Sequence, residues 1–248
     1  MSKITLTAAS RIGCVRANNE DMVLAYDKLI RSDVYSTEFD TDTIDRFTIA
    51  VADGMGGHNA GEVASSDVLN NLKFYIGDLP RGLASGEFMD AMHNWLQSVN
   101  QIVASKGHTD PSFLEMGTTL VGIVYYNKKY YWMNCGDSRL YRLRNGELIQ
   151  ISNDHSLSNA RGEKKHSSII TNCIGAGIRI PYMDMFEFTE EFLTGDIYML
   201  CTDGLNDMVS DERIKQLMCD HANANMLCEA AIEAGGYDNV SVCMFTVD

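Results

Sequence analysis

Ala50-Val51-Ala52-Asp53-Gly54-Met55-Gly56-Gly57-His58 decides how this chain is read: an apolar run ends abruptly in an acid and a cluster of glycines. With Phe47-Thr48-Ile49 before it, the run is nearly continuous rather than alternating, which marks a strand covered on both faces. Such a strand delivers a carboxylate to its own tip. Gly54, Gly56 and Gly57 lack Cβ atoms, so the backbone there can turn sharply and bring carbonyls and amides close to an ion or a phosphate. A plain turn would use the same glycines. What sets the stretch apart is that two further strands are expected to end the same way, at Thr202-Asp203-Gly204 and Tyr237-Asp238-Asn239.

Outward from this strand, Lys3-Ile4-Thr5-Leu6-Thr7-Ala8-Ala9 alternates as a strand, and Arg16-Ala17-Asn18-Asn19-Glu20-Asp21 is a polar segment leading into Met22-Val23-Leu24-Ala25-Tyr26. Residues 31–45, rich in acids, read as an exposed hairpin or loop. Ala64, Val68, Leu72 and Tyr75, then Phe88, Met92, Trp95, Leu96 and Val99, recur at helical spacing and predict two amphipathic helices. Strands at 120–126, 130–135, 140–143 and 148–151, with an Asn145-Gly146 turn, form an antiparallel meander that excludes a simple βαβ sheet. Ile197 to Cys201 is a further strand. Ser210 is placed to cap a helix, another covers about 223–234, and Val240 to Phe245 is the last strand. Two helical pairs around many antiparallel strands predict an α+β fold, a four-layer α-β-β-α sandwich with a helix pair on each outer face.

The chain has 248 residues, 45% of them hydrophobic, and only 3 prolines, with no linker or repeat. One domain spanning residues 1–248 is expected. A net charge of −14 argues against nucleic acid as a partner, because binding a polyanion depends on clustered Lys and Arg. Seven scattered cysteines without a CxxC pair fit reduced thiols, and no run is long enough to span a membrane, so a cytoplasmic, monomeric protein is expected.

Three acids at strand tips, Asp53, Asp203 and Asp238, would meet at one end of such a sandwich. Like charges at short range disfavour ionisation, and divalent cations resolve the conflict. All-oxygen ligands, including the carbonyl of Gly54, suit Mg2+ or Mn2+ better than Zn2+. Two such ions would hold a bridging hydroxide in line with a phosphorus atom, and Arg16 is the candidate guanidinium for the phosphoryl oxygens.

Arg16-Ala-Asn-Asn-Glu20-Asp21, Asp53-Gly-Met-Gly-Gly-His58, Gly117-Thr-Thr, Gly136-Asp-Ser-Arg139, Asp154-His155-Ser156-Leu157, Asp203-Gly204-Leu-Asn-Asp207 and Asp238-Asn239-Val-Ser resemble the ordered signatures of the PPM, or protein phosphatase 2C, family, over residues 7–247. The stretch at 53–58 is similar to its bacterial members. The resemblance implies a metal-dependent phosphoserine/phosphothreonine phosphatase that forms no phosphoenzyme, with phosphoprotein substrates and an opposing Ser/Thr kinase. It implies metal ligation by Asp53, the Gly54 carbonyl, Asp203 and Asp238, with Glu20 acting through water. Asp137, Asp203 and Asp207 would form a third metal site. Arg16 would hold phosphate, and Asn239 and Thr118 would support the site. His58 is ranked ahead of His155 as the acid protonating the leaving oxygen. The segment after Leu157 is shorter than is general in bacterial members, and Asn172 stands where an arginine is usual.

Two other readings compete. Cys173-Ile-Gly-Ala-Gly-Ile-Arg179 has the Cys-x5-Arg spacing of cysteine-dependent phosphatases, although Asn172, Ile180 and Pro181 depart from their pattern. A non-catalytic phosphoprotein-binding module of the same fold would have lost metal ligands, and none is lost. The glycine run fits neither dinucleotide nor P-loop spacing.

Overall fold

The computed structural model describes residues 3–56, 60–162 and 169–248. In chain order its strands and helices are β1 (Lys3–Arg11), β2 (Met22–Ala25), β3 (Lys28–Ile30), β4 (Val34–Asp40), β5 (Arg46–Ala52), β6 (Gly54–Met55), α1 (Ala60–Asp78), α2 (Ser85–Thr109), β7 (Gly117–Thr118), β8 (Leu120–Tyr126), β9 (Lys129–Cys135), β10 (Arg139–Arg144) and β11 (Glu147–Gln150). After them come α3 (Leu157–Ala160), β12 (Ile174–Gly175), β13 (Asp184–Glu187), β14 (Ile197–Cys201), α4 (Asp203–Asn206), α5 (Asp211–Cys219), α6 (Ala224–Glu233) and β15 (Val240–Val247). They build two six-stranded antiparallel sheets, β11-β10-β14-β15-β1-β4 and β13-β9-β8-β5-β2-β3, and a small sheet β12-β7-β6.

The continuous apolar runs explain the layering. Along β5, Ile49 and Val51 face the other sheet and pack with Leu6, Ile123, Leu200 and Phe245. Ala50 and Ala52 point the opposite way, onto Val68, Leu72 and Leu96 of α1 and α2. The first sheet does the same on its outer side, where Met199, Val242 and Met244 meet Ile214 and Met218 of α5 and Leu227 and Ala231 of α6. Strands buried on both faces have no polar side to show, hence no alternation. The late helices start where polar caps allow: Ser210 accepts from the Arg213 amide and Asn223 from the Met226 amide. The four-layer α-β-β-α arrangement is as expected.

Two local readings are corrected. Within 31–45, residues 34–40 are an edge strand pairing with β1, Thr7 opposite Ser36. Tyr35, Thr37 and Phe39 turn inward while Ser36 and Glu38 stay exposed, a period of two that the density of acids obscured. Asp238 lies two residues before β15 rather than closing a strand.

The sandwich makes a contrast between two phenylalanines. Phe245 is 1% exposed between the sheets and stacks on Tyr198 at 5.3 Å, whereas Phe74 of α1 is 67% exposed. Phe245→Ala should cost about 3–5 kcal/mol in urea unfolding, and Phe74→Ala about 0.5 kcal/mol or less. Equal costs would contradict the layering.

Candidate functional site

Antiparallel pairing brings the acids together. Ala52 at the end of β5 lies opposite Met22 at the start of β2, so Asp53 and Asp21 leave the second sheet side by side. Cys201 at the end of β14 lies opposite Val242 of β15, so Asp203 and Asp238 leave the first sheet at the same end. Asp137 sits on the turn between β9 and β10, which carries the chain from one sheet to the other. The cluster therefore stands at the open edge between both sheets.

Its electrostatics are those of like charges short of compensation. Removal from water, then the charges of Asp21, Asp203, Asp137 and Asp238, hold the Asp53 carboxyl well above its ordinary value. Burial pushes Asp21 up to about 7 against the opposing hydrogen bonds of Ser241 and Thr202, and the charges of Asp203 and Asp238 add to the rise. Burial, followed by Asp203 and Asp154, raises Asp137 to about 7, with Asp207 contributing as well. Glu20 is raised by burial, with Arg16 lowering it and Asp238 raising it.

Asp21 is the residue sequence reasoning missed as a member of the site. It is 1% exposed and accepts from the Thr202 hydroxyl at 2.9 Å. Read in isolation it belongs to a polar loop; the signal lay in its position one residue before a strand antiparallel to the one that ends at Asp53.

The backbone around the acids is tightly held. Thr118 Oγ1 and the Thr119 amide donate to the Asp53 carbonyl at 2.7 and 2.9 Å, while the Asp53 amide donates to Thr119 Oγ1. Asn239 Oδ1 accepts from the Glu20 amide at 2.8 Å, and its Nδ2 donates to the carbonyls of Ile12 and Asn18. A Cβ at Gly54 would lie 2.2 Å from the Gly61 carbonyl oxygen and 2.5 Å from that of Glu20. One at Gly204 would meet the Asn239 carbonyl oxygen at 1.9 Å. Glycine is needed at both positions because one backbone presses on another.

Other expected residues fall as follows. Arg16 is half-exposed and closes in a fork on Asp238, Nε and Nη2 donating at 2.8 and 2.6 Å. Asp207 follows α4, its amide donating to the Asp203 carbonyl at 2.9 Å. His58 lies outside the described residues. His155 is buried, with Nδ1 accepting from the Gly136 amide and Asn172 Nδ2 and with Nε2 on Asp184, so both ring nitrogens are committed to holding loops.

The Cys173 nucleophile is overturned. The thiol is 3% exposed and burial pushes it up to about 11, the wrong direction for a thiolate. The amides that would cradle phosphate are already spent: Gly175 donates to Asn100 Oδ1, Ala176 to the Met116 carbonyl and Ile178 to the Gly175 carbonyl.

The donor set fits hard divalent cations. Among the described residues Asp21 Oδ1 and Asp137 Oδ2 are buried without a hydrogen-bond partner, and the Asp203 carboxylate interacts with both. Among the described residues no three His, Cys, Asp or Glu side chains are drawn close enough to hold an ion as they stand. One of the carboxylates, Asp238, is engaged by the Arg16 fork.

Carboxyls held above their ordinary value keep protons in the folded chain that the unfolded chain has already lost, so raising pH through that window destabilises the fold. For the chelator-treated protein, the melting temperature should fall between about pH 5 and about pH 8, and Asp21→Asn should reduce the fall. A curve that is flat or rising there would refute the crowding of charge.

The protein phosphatase 2C family profile matches residues 26–231. Serine/threonine protein phosphatase PstP of Mycobacterium tuberculosis is 34% identical over 100% of this chain, which spans only 46% of that relative's length. Serine/threonine phosphatase stp of Listeria monocytogenes is 29% identical over 81% of this chain and 84% of its own. A crystal structure of the PstP catalytic domain in complex with two manganese ions superposes with a TM-score of 0.78 at 32% identity, covering 100% of this chain and 99% of that one. With strand-tip carboxylates at the junction of two sheets, and a profile match over most of its length, the chain belongs to the protein phosphatase 2C family.

Proposed function

We propose that residues 1–248 act as one catalytic domain hydrolysing phosphoserine and phosphothreonine in proteins, opposing a Ser/Thr kinase. The observation that carries this is the convergence of Asp21, Asp53, Asp137 and Asp203, from both sheets, into one carboxylate cluster with Asp238 and its partner Arg16 at the rim. Asp53, Asp203, Asp238 and the Gly54 carbonyl would hold two Mg2+ or Mn2+ ions, Glu20 and Asp21 acting from beside them, and Asp137 and Asp207 would serve a third. When bound, such ions supply a water of lowered pKa and offset the charge of the phosphoryl group. Arg16, released from Asp238, clamps two phosphoryl oxygens with its planar fork. Asn239, Thr118 and Thr119 keep the acid-bearing loops in place. The proton for the departing serine or threonine oxygen is assigned to His58.

The proposed enzyme is cytoplasmic and monomeric and acts on neither membrane nor nucleic acid; separately, among the described residues no helix is long and apolar enough to cross a membrane.

Asp203→Asn should lower phosphate release from a phosphothreonine peptide by about a hundredfold or more while the circular dichroism spectrum stays unchanged. Near-normal turnover by the folded variant would remove the assignment. Chelation should abolish turnover and thiol alkylation of the native protein should spare it; the reverse would revive cysteine chemistry. Mn2+ at about a hundredfold over its dissociation constant should stabilise the fold by about 2.7 kcal/mol, read as a rise in melting temperature.

A further inference from the structure

A cavity of about 370 Å3 opens beside the carboxylate cluster, its wall including Asp154, His155, Asn159, Thr171, Tyr182 and Asp184. It is joined to the site through Gly136: the His155 amide donates to the Gly136 carbonyl at 2.9 Å, the Gly136 amide donates to His155 Nδ1 at 3.1 Å, and Asp137 follows directly. The wall is rich in acceptors. Because His155 Nδ1 accepts from both Gly136 and Asn172, the imidazole carries its proton on Nε2 and donates it to Asp184 Oδ2 at 3.2 Å. Among the described residues His155 is the ion-pair partner of Asp184, and no Lys or Arg reaches it.

Asp154, in contrast, is balanced by Arg139 at 2.6 Å. Tyr182 lines the same cavity, 52% exposed, its ring 4.5 Å from that of His155. A carboxylate with no Lys or Arg partner among the described residues, beside an exposed aromatic face, suits a planar, donor-rich cation.

We propose that this cavity receives an arginine side chain of the phosphoprotein substrate. Three hydrogen-bonded or covalent steps separate Asp184 from Asp137, on the order of 10 Å, which places the arginine about three residues from the phosphorylated one at ~3.3 Å per residue of extended chain. The inference rests on the phosphatase reading and adds the class of sequence that the enzyme prefers.

The test uses phosphothreonine peptides that differ by one Arg, Ala or Glu walked along both flanks, with p-nitrophenyl phosphate as a reference substrate too small to reach the cavity. The wild-type enzyme should favour Arg over Ala by about tenfold in kcat/KM at one position near the third. Asp184→Asn should shrink that ratio to about twofold, and Tyr182→Leu should lower it independently. Taking the ratio within each enzyme cancels any loss of folded protein. Equal kcat/KM for the three residues at every position, or an arginine preference untouched in both variants, overturns the proposal. Failure of the wild-type protein to hydrolyse p-nitrophenyl phosphate with Mn2+ overturns the phosphatase reading and this inference with it.

Discussion

Repulsion between carboxylates that the fold insists on placing together is the constraint to which the rest of this structure answers. An isolated ionised carboxylate is costly to bury, and several within reach of one another raise that cost further. Asp21, Asp53 and Asp137 all respond by holding protons more tightly than their type normally does. The sandwich tolerates this because its three apolar layers are complete without the cluster: β5, β14 and β15 are buried on both faces up to the residue before the acids begin.

The same constraint explains where glycines and amide side chains are spent. Bringing five acid-bearing loops to one edge forces backbones into contact, at Gly54 against Gly61 and at Gly204 against Asn239. Asn239 then ties the β1–β2 connection to the start of β15 at three points, Ile12, Asn18 and Glu20. Its side-chain hydrogen bonds run from loop to loop while its amide donates to Asp238 Oδ1 at 2.8 Å, so it fixes spacing without adding charge. Thr118 and Thr119 do likewise for the β5–β6 corner through the backbone of Asp53.

The fold was legible because burial writes itself into local pattern. Continuous apolar runs such as 47–52 and 197–201 declare strands covered twice, and helical spacing in 60–78 and 85–109 declares their covers. Where pattern and composition disagreed, composition misled: residues 34–40 alternate correctly, but the acids around them suggested a loop. Among site residues, Asp53 and Asp203 stood out because each follows an apolar strand directly. Asp238 is legible too, from the stretch Tyr237-Asp238-Asn239, although it precedes its strand; Asp21 becomes visible only once the antiparallel register of Met22 with Ala52 is known. The His155 contacts with Gly136, Asn172 and Asp184 span up to 29 residues, and no local rule connects such partners.

Arg16 shows how the cluster meets its own charge in part. Its fork satisfies both oxygens of Asp238, but the pair is half-exposed, and ion pairs in that setting contribute about 0–1 kcal/mol. Further in, the charge that balances Asp238 leaves Asp21 Oδ1 and Asp137 Oδ2 without a hydrogen-bond partner among the described residues. A side-chain cation long enough to reach the rim therefore cannot settle the interior, where a compact, multiply charged ion gains more from each oxygen. The weak rim pair and the unsatisfied interior act in the same direction, since whatever neutralises the acids from within also relieves Arg16 of its hold on Asp238 and frees the fork for an anion of matching shape.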